Sequence, residues 1–520
     1  MKKIKCMSMT ILLVLLVSLV LPGCNNNADN GENVTNQVTE NGDSGSSNID
    51  KIDVTPITMS DDFVISEEDK ELYNSLFDLN NKVKIDIDIS DEELKKIQDD
   101  YDYYNGKHSK SPIYRKCNLT ITINDKSYTI EEVGIRMKGN TSRTDFYDEE
   151  EGVYALVHFK LSFTQTFDNK DYYGKDVKVW GSEEARKERK DRTFASLEGI
   201  EIKWNRNTDS TYTRETYAYK MYRDFGVLAP NNTLGQCVVN GDNWGLYKIY
   251  EPVDEVFIER YLDKEDWGGD LYKCTWASGP ADYTNVYNKA GVENEYAGKF
   301  YTYDLKTNKK TSTHENLKNF VSKIKNSSIT KEELGQILDI DNWLLFSSVS
   351  YFLGMPDDMR NNYNNHYVYF KGSTNQAIFI AYDCELSLGT ADWNPTGSFM
   401  TETDPYSGWA YGANKYQNNN LIKKTLTEKG ILKNEYKAAL NAVADSKWMK
   451  FDTFRNMYKI SEKIYDTVDI PELRLKDYDN AWLEMDLYDT YSSENKSNGN
   501  MSVDIYLAKM LQNYMKYKNK

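Results

Sequence analysis

The chain has 520 residues, with 64 Lys and Arg against 81 Asp and Glu and a formal net charge of −17. That length excludes a minimal disulfide-stapled scaffold, and that charge excludes a generic cationic nucleic-acid binder, so nucleic acid is not an expected partner. Apolar residues make up 39%, but 40 Tyr and 18 Phe add packing surface, and the four His are too scattered for a zinc motif, which leaves any metal chemistry to oxygen ligands.

The N-terminus reads Met1-Lys2-Lys3-Ile4-Lys5, followed by an apolar run from Ile11 to Leu21 and then Pro22-Gly23-Cys24. A basic start, an apolar stretch short of the about 20 residues needed to span a bilayer, and a small residue before Cys predict an export signal over 1–24. Leu21-Pro22-Gly23-Cys24 resembles a bacterial lipobox, which implies lipidation at Cys24 and a lipid-anchored protein on the extracytoplasmic face of the cell membrane. Residues 25–61 then read as a polar tether with little to bury. Cys117, Cys237, Cys274 and Cys384 are too widely spaced to define a disulfide framework.

Order is expected from about residue 62. Val83, Ile85, Ile87 and Ile89 alternate with polar residues and predict a half-buried strand. Ser90 and Glu93 form a capping box for a helix that buries Leu94 and Ile97. Leu119, Ile121 and Ile123 run into Asn124-Asp125-Lys126 and return through Tyr128, Ile130 and Val133, a hairpin. Further strands are predicted at 154–163, 197–204, 235–239, 245–250, 367–370 and 377–381, and a helix across 211–225 that Gly226 and Pro230 stop. The basic stretch 175–192 reads as a solvated loop or helix face. From about 420 the periodicity is helical. Mixed strands followed by helices predict an α+β fold, with a core over 62–403 and a helical C-terminal part over 404–520.

Two segments could carry chemistry. Residues 133–143 run from a strand into a turn with Lys138, Gly139, Asn140, Thr141, Ser142 and Arg143, a turn suited to presenting backbone N–H groups and cations to phosphate oxygens. Residues 355–370 place Asp357, Asp358 and several Asn before a strand, and Asp383 ends the next strand of that hairpin. This arrangement suits phosphoryl transfer: a hard Mg²⁺ takes oxygen ligands, while a separate Asp orients or deprotonates an acceptor hydroxyl.

Seven ordered blocks carry a resemblance: GIRMKGNTSR at 134–143, HFKLSF at 158–163, Arg214-Glu215 with RDFGVLAP at 223–230, VVNGDNWGLYKIYEPVD at 238–254, DLYKC at 270–274, DDMRNNYNNHYVYF at 357–370 and AYDCELSLG at 381–389. With these the chain resembles the CotH-like secreted kinases, named for a spore coat protein. The resemblance implies an atypical, two-lobed protein-kinase-like fold. It also implies an ATP-dependent kinase, using Mg²⁺ or Mn²⁺, that phosphorylates Ser or Thr of exported or cell-surface proteins. By the same resemblance Lys138, Asn140, Ser142 and Arg143 would face phosphates, Lys160 would be the strand lysine paired with Glu215, and Glu251 would lie near adenine or ribose. Asp383 would bind metal with Asn362 or Asn365. Asp358 is favoured over Asp357 as the catalytic Asp, although the five-residue spacing from Asp357 to Asn362 leaves the register open. A non-catalytic adhesin or pseudokinase on the same fold is the alternative, and a carbohydrate-active protein with paired carboxylates a third.

Overall fold

The computed structural model describes residues 52–105, 110–139, 143–148, 153–205, 209–277, 279–294, 298–390, 399–406, 419–466, 468, 487 and 501–519. Cys24, Asn140, Ser142, the export signal and the tether up to residue 51 lie outside the described residues. The fold is α+β, and its first half closes into a seven-stranded barrel. Around the barrel run Val83–Asp88, Arg115–Ile123, Lys126–Lys138, His158–Ser162, Gly199–Trp204, Asp242–Tyr250 and Asn232–Val239, and the last pairs in parallel with the first. Strand alternation turns one apolar set inward. Ile85 faces Ile121, Ile135 faces Leu161 and Ile202 faces Ile249 across neighbouring strands, all buried. Closure was not legible in the sequence, because nothing local marks a parallel pairing between segments about 150 residues apart.

A second sheet has five strands, in the order Ala290–Gly291, Tyr303–Leu305, Leu271–Cys274, His366–Phe370 and Ala377–Ala381. Against it packs the Ile340–Leu353 helix, with Trp343 and Phe346 ring centroids 4.9 and 5.5 Å from that of Phe379. Every residue from Trp343 to Leu353 is buried, so this helix has no polar stripe and no amphipathic signature. The helices Lys433–Ala444, Phe451–Tyr465 and Val503–Met515 complete this second core. The barrel interior and the helical core are separate apolar clusters. Among the described residues no helix is long and apolar enough to cross a membrane.

The Arg214–Asp224 helix belongs to both halves. Tyr217, Ala218, Tyr219 and Tyr222 pack into the helical core, while Glu215 in its first turn reaches lysines on barrel strands. Two expectations change. Residues 52–61 are not part of a free tether, since Ile52 and Val54 pack on the helical core and the Ile57 N–H donates to the Arg223 carbonyl at 2.8 Å. The basic stretch 175–192 is not merely solvated. Lys178 and Arg189 both pair with Glu132, and Arg192 donates to the carbonyls of Phe163, Glu131 and Glu132 at 2.8, 2.6 and 3.1 Å, so it clasps two barrel strands.

Candidate active site

Lys203 and Lys248 face each other across the Gly199–Trp204 and Asp242–Tyr250 strands, and both are buried. Two ammonium groups directly opposite would repel. Glu215 resolves this: its carboxylate lies 3.5 Å from Lys203 Nζ and 3.4 Å from Lys248 Nζ, and accepts from the Tyr250 hydroxyl at 2.5 Å. Burial alone would push Glu215 upward, but Lys203 and Lys248 outweigh it and hold the carboxyl below its ordinary value. Asp383 arrives from the end of the Ala377–Ala381 strand, its Oδ1 2.6 Å from Lys203 Nζ, with Glu385 3.5 Å from the same nitrogen. Lys203 is therefore the hub of three carboxylates, and although burial opposes its charge, Asp383 and Glu215 keep it firmly protonated.

Asp383 has a φ of 55°, and its N–H donates at 2.8 Å to the Tyr219 hydroxyl, which donates to Glu215 Oε1 at 3.2 Å. This chain of hydrogen bonds holds Asp383 in a left-handed backbone conformation that costs energy elsewhere and that Asp tolerates better than most residues. Although burial pushes its carboxyl upward, Lys203 and then Lys138 hold it well below the usual carboxylate range. It is an anion at any physiological pH.

Facing this cluster is the loop before the His366–Phe370 strand. The Asp357 carboxylate accepts from the side-chain amides of Asn362, Asn364 and Asn365 at 2.5, 3.2 and 3.0 Å. Trp276 braces the loop by donating its indole N–H to the Asn362 carbonyl at 2.7 Å. Burial pushes the Asp357 carboxyl up to about 6, partly offset by Asn362 and Asn364, and Asp383 adds like-charge repulsion. The neighbouring Asp358 turns the other way, into the core. Its oxygens accept from the Ser350 hydroxyl and, at 2.8 Å, from the Asn361 N–H, and burial likewise raises it to about 6.

Residues 135–469, more than half of the chain, match the family described as CotH kinase protein. The chain belongs to the CotH kinase family. No curated protein matches it.

In this CotH-family chain the structure brings together Glu215, Asp383, Asp357 and its carboxamides. Lys160 is not the cation on Glu215; it sits opposite Glu201 in the neighbouring strand, 3.7 Å from that carboxylate. Lys138 pairs with the same Glu201 at 2.6 Å. Arg143 lines a recess with Asp100, Tyr101 and Arg136, beside the Asp91–Asn105 helix. The Glu251 side chain lies in a buried network, paired with Arg260 and accepting from the Tyr261 hydroxyl at 3.0 Å and the Asn231 N–H at 3.1 Å. Asp358, favoured from sequence, is occupied in the core, whereas Asp357 is the carboxylate that feels Asp383. Sequence reading missed Lys203 and Lys248. The available signal was a pair of lysines on strands whose other residues are almost all buried.

Among the described residues no three His, Cys, Asp or Glu side chains form a metal cage. Mg²⁺ needs none when substrate phosphates supply ligands, because one or two carboxylates then suffice. Asp383, with the nearby carboxamides of Asn362 and Asn365, offers such an oxygen set.

Proposed function

We propose that this chain is an ATP-dependent protein kinase with a two-lobed, kinase-like arrangement of its barrel and helical halves, transferring the γ-phosphoryl group to Ser or Thr of exported or cell-surface proteins. One observation carries the reading: the Lys203 ammonium is buried between Glu215, on the helix that follows its strand, and Asp383, at a strand end. Kinases require this combination of strand lysine, helix glutamate and metal-binding aspartate. Asp383 would hold Mg²⁺ or Mn²⁺ with ATP, with Asn362 or Asn365 as the second protein ligand, and the bound metal would neutralise charge on the phosphates. Lys203 takes the role that the sequence resemblance assigned to Lys160. Its ammonium is oriented by two carboxylates and presents a fixed positive charge without reorganisation.

Asp357 is the proposed base. It is half-buried, and its three carboxamide donors fix its oxygens, so it can accept the proton of an acceptor hydroxyl as the oxygen attacks phosphorus. An upward-shifted carboxyl is better matched to that proton than an ordinary one. Asp358 holds the loop from behind.

The location belongs to the same proposal: Cys24 carries the lipid, and the polar residues after it let the kinase body stand off the membrane. Cys24→Ser should release the protein from membranes or block signal processing; unchanged retention with normal cleavage would count against the anchor.

Adding Mg²⁺ and ATP to the full chain should raise its melting temperature, since a ligand that binds only the native state stabilises it. Asp383→Asn should lose most of that metal-dependent rise and abolish phosphoryl transfer to a Ser/Thr acceptor while remaining folded. If wild type neither binds Mg²⁺·ATP nor transfers phosphate, the adhesin or pseudokinase alternative replaces this one.

A further inference from the structure

Trp276, Ala281 and Tyr283, which follow the Leu271–Cys274 strand, meet the Asp357 loop at four points. The Trp276 indole N–H donates to the Asn362 carbonyl at 2.7 Å, and its backbone N–H donates to Asn364 Oδ1 at 3.2 Å. The Ala281 N–H donates to the Tyr363 carbonyl at 3.0 Å, and the Tyr283 hydroxyl pairs with His366 Nε2 at 2.8 Å. The loop needs this support, because Tyr363 and Asn365 have φ of 56° and 46°. A left-handed backbone is costly for a side chain as bulky as Tyr and persists only where the surroundings enforce it.

Trp276 governs two of the three asparagines that hold Asp357. A carboxamide has one accepting end and one donating end. With Asn364 Oδ1 taken by the Trp276 N–H, Nδ2 is the end turned to Asp357, 3.2 Å from each carboxylate oxygen. Asn362, whose carbonyl takes the indole N–H, donates its side-chain amide to Asp357 Oδ1 at 2.5 Å. The bond to Asn364 comes from the backbone; the bond to Asn362 depends on the indole. The ring itself keeps 37% exposure. A single exposed aromatic residue is ordinary. This one stands one asparagine away from the carboxylate that an acceptor hydroxyl has to reach. A Trp face there offers a large contact area at the cost of ordering only two side-chain torsions.

We infer that Trp276 is both a positioning residue for Asp357 and the acceptor-side platform of the site: its N–H groups set the asparagines that aim the carboxylate, and its ring takes an apolar side chain next to the Ser or Thr being phosphorylated. The inference rests on the kinase reading and narrows the substrate class to a peptide with an apolar neighbour beside its hydroxyl. A free sugar or small alcohol has no such neighbour to lay on the ring. Acceptor binding and the aim of the base are then coupled through one residue.

The test uses the full chain, Mg²⁺·ATP and two synthetic peptides that differ only in carrying leucine or glycine beside a single serine. Wild type should show a KM several-fold lower for the leucine peptide. Trp276→Phe keeps a ring and loses the indole N–H, so kcat per folded molecule should fall about tenfold, because small misplacements of reacting groups are costly, while the leucine preference remains. Trp276→Ala should lower kcat similarly and also bring the KM of the leucine peptide up to that of the glycine peptide. The KM for ATP should not move in either variant. Wild-type kcat in Trp276→Phe overturns the positioning role, and equal KM for the two peptides in wild type overturns the platform. ATP binding by wild type without transfer to either peptide also overturns the platform. Absence of Mg²⁺·ATP binding by wild type would instead sink the kinase reading, and this inference with it.

Discussion

Removing the Glu215 carboxylate would leave two buried ammonium groups, Lys203 and Lys248, facing each other without their shared anion. Breaking a buried ion cluster from one side costs about 3–5 kcal/mol, so Glu215→Ala should lower the urea midpoint sharply. Lys160→Ala should cost no more than about 1 kcal/mol, because its contact with Glu201 is long and its side chain keeps 33% exposure. Equal effects of the two substitutions would refute the assignment of Lys203 as the partner of Glu215. The two aspartates divide in the same way. Asp357→Ala should lose two or more orders of magnitude in turnover, the scale of lost acid–base assistance. Asp358→Ala should instead cost about 1–3 kcal/mol of stability by stranding the Ser350 hydroxyl and the Asn361 N–H. If, at matched folded fraction, Asp358 proves essential and Asp357 dispensable, the catalytic role returns to Asp358. Both aspartates were visible in sequence as an acidic pair; which one faces the site depends on a turn whose direction is set by Ser350 and the asparagines.

The barrel depends on a clasp that its strands do not supply. Glu132 has a φ of 51° near an irregularity in the pairing of Arg115–Ile123 with Lys126–Lys138, and Arg192 ties the carbonyls there to Phe163. Burial, then the neighbouring Arg189, push the Arg192 guanidinium down to about 10, so this cation is held by neutral carbonyls and by shape more than by charge. Lysine cannot reproduce a fork that reaches three carbonyls. Arg192→Lys should therefore speed amide hydrogen exchange in 128–138 and 158–163 by about tenfold or more, with the 377–381 strand unaffected; uniform acceleration everywhere would indicate global destabilisation instead. The sequence showed the stretch as a run of cations, and such a run is most often solvated. Its partners lie some 30–60 residues away and leave no local trace.

Across the whole molecule, His366 links the Asp357 loop to the second sheet. It is fully buried; its Nδ1 pairs with the Asn364 carbonyl at 2.9 Å and its Nε2 with the Tyr283 hydroxyl at 2.8 Å. Burial lowers its pKa to about 4. The unfolded chain, with an ordinary His near 6.5, binds more protons between those values, so this group's contribution to stability is complete above about 6.5 and is lost as pH falls toward 4. The loss over that window amounts to about 3 kcal/mol. Asp357 and Asp358 act in the opposite sense between about 4 and 6, because their folded values are raised. The informative quantity is therefore the difference between wild type and His366→Gln in urea unfolding from pH 7 to 4.5. The variant should lose less stability than wild type on acidification, and parallel curves would remove His366 as an acid-sensitive group.

Residue order alone determined the strand alternation, the Arg214–Asp224 helix with its glycine stop, the α+β class, and the two segments where carboxylates and cations accumulate. Those features rest on periods of two and 3.6 residues and on motif spacing, which are local. Tertiary structure alone decided the closed barrel, the buried helix that carries no polar stripe, and the choice of Lys203 over Lys160. Both lysines lie on barrel strands close to Glu201, Lys160 opposite it on the neighbouring strand and Lys203 two residues along its own. Only the packing of the following helix over the Gly199–Trp204 strand selects which ammonium reaches Glu215, and that choice depends on distances the chain acquires only when it folds.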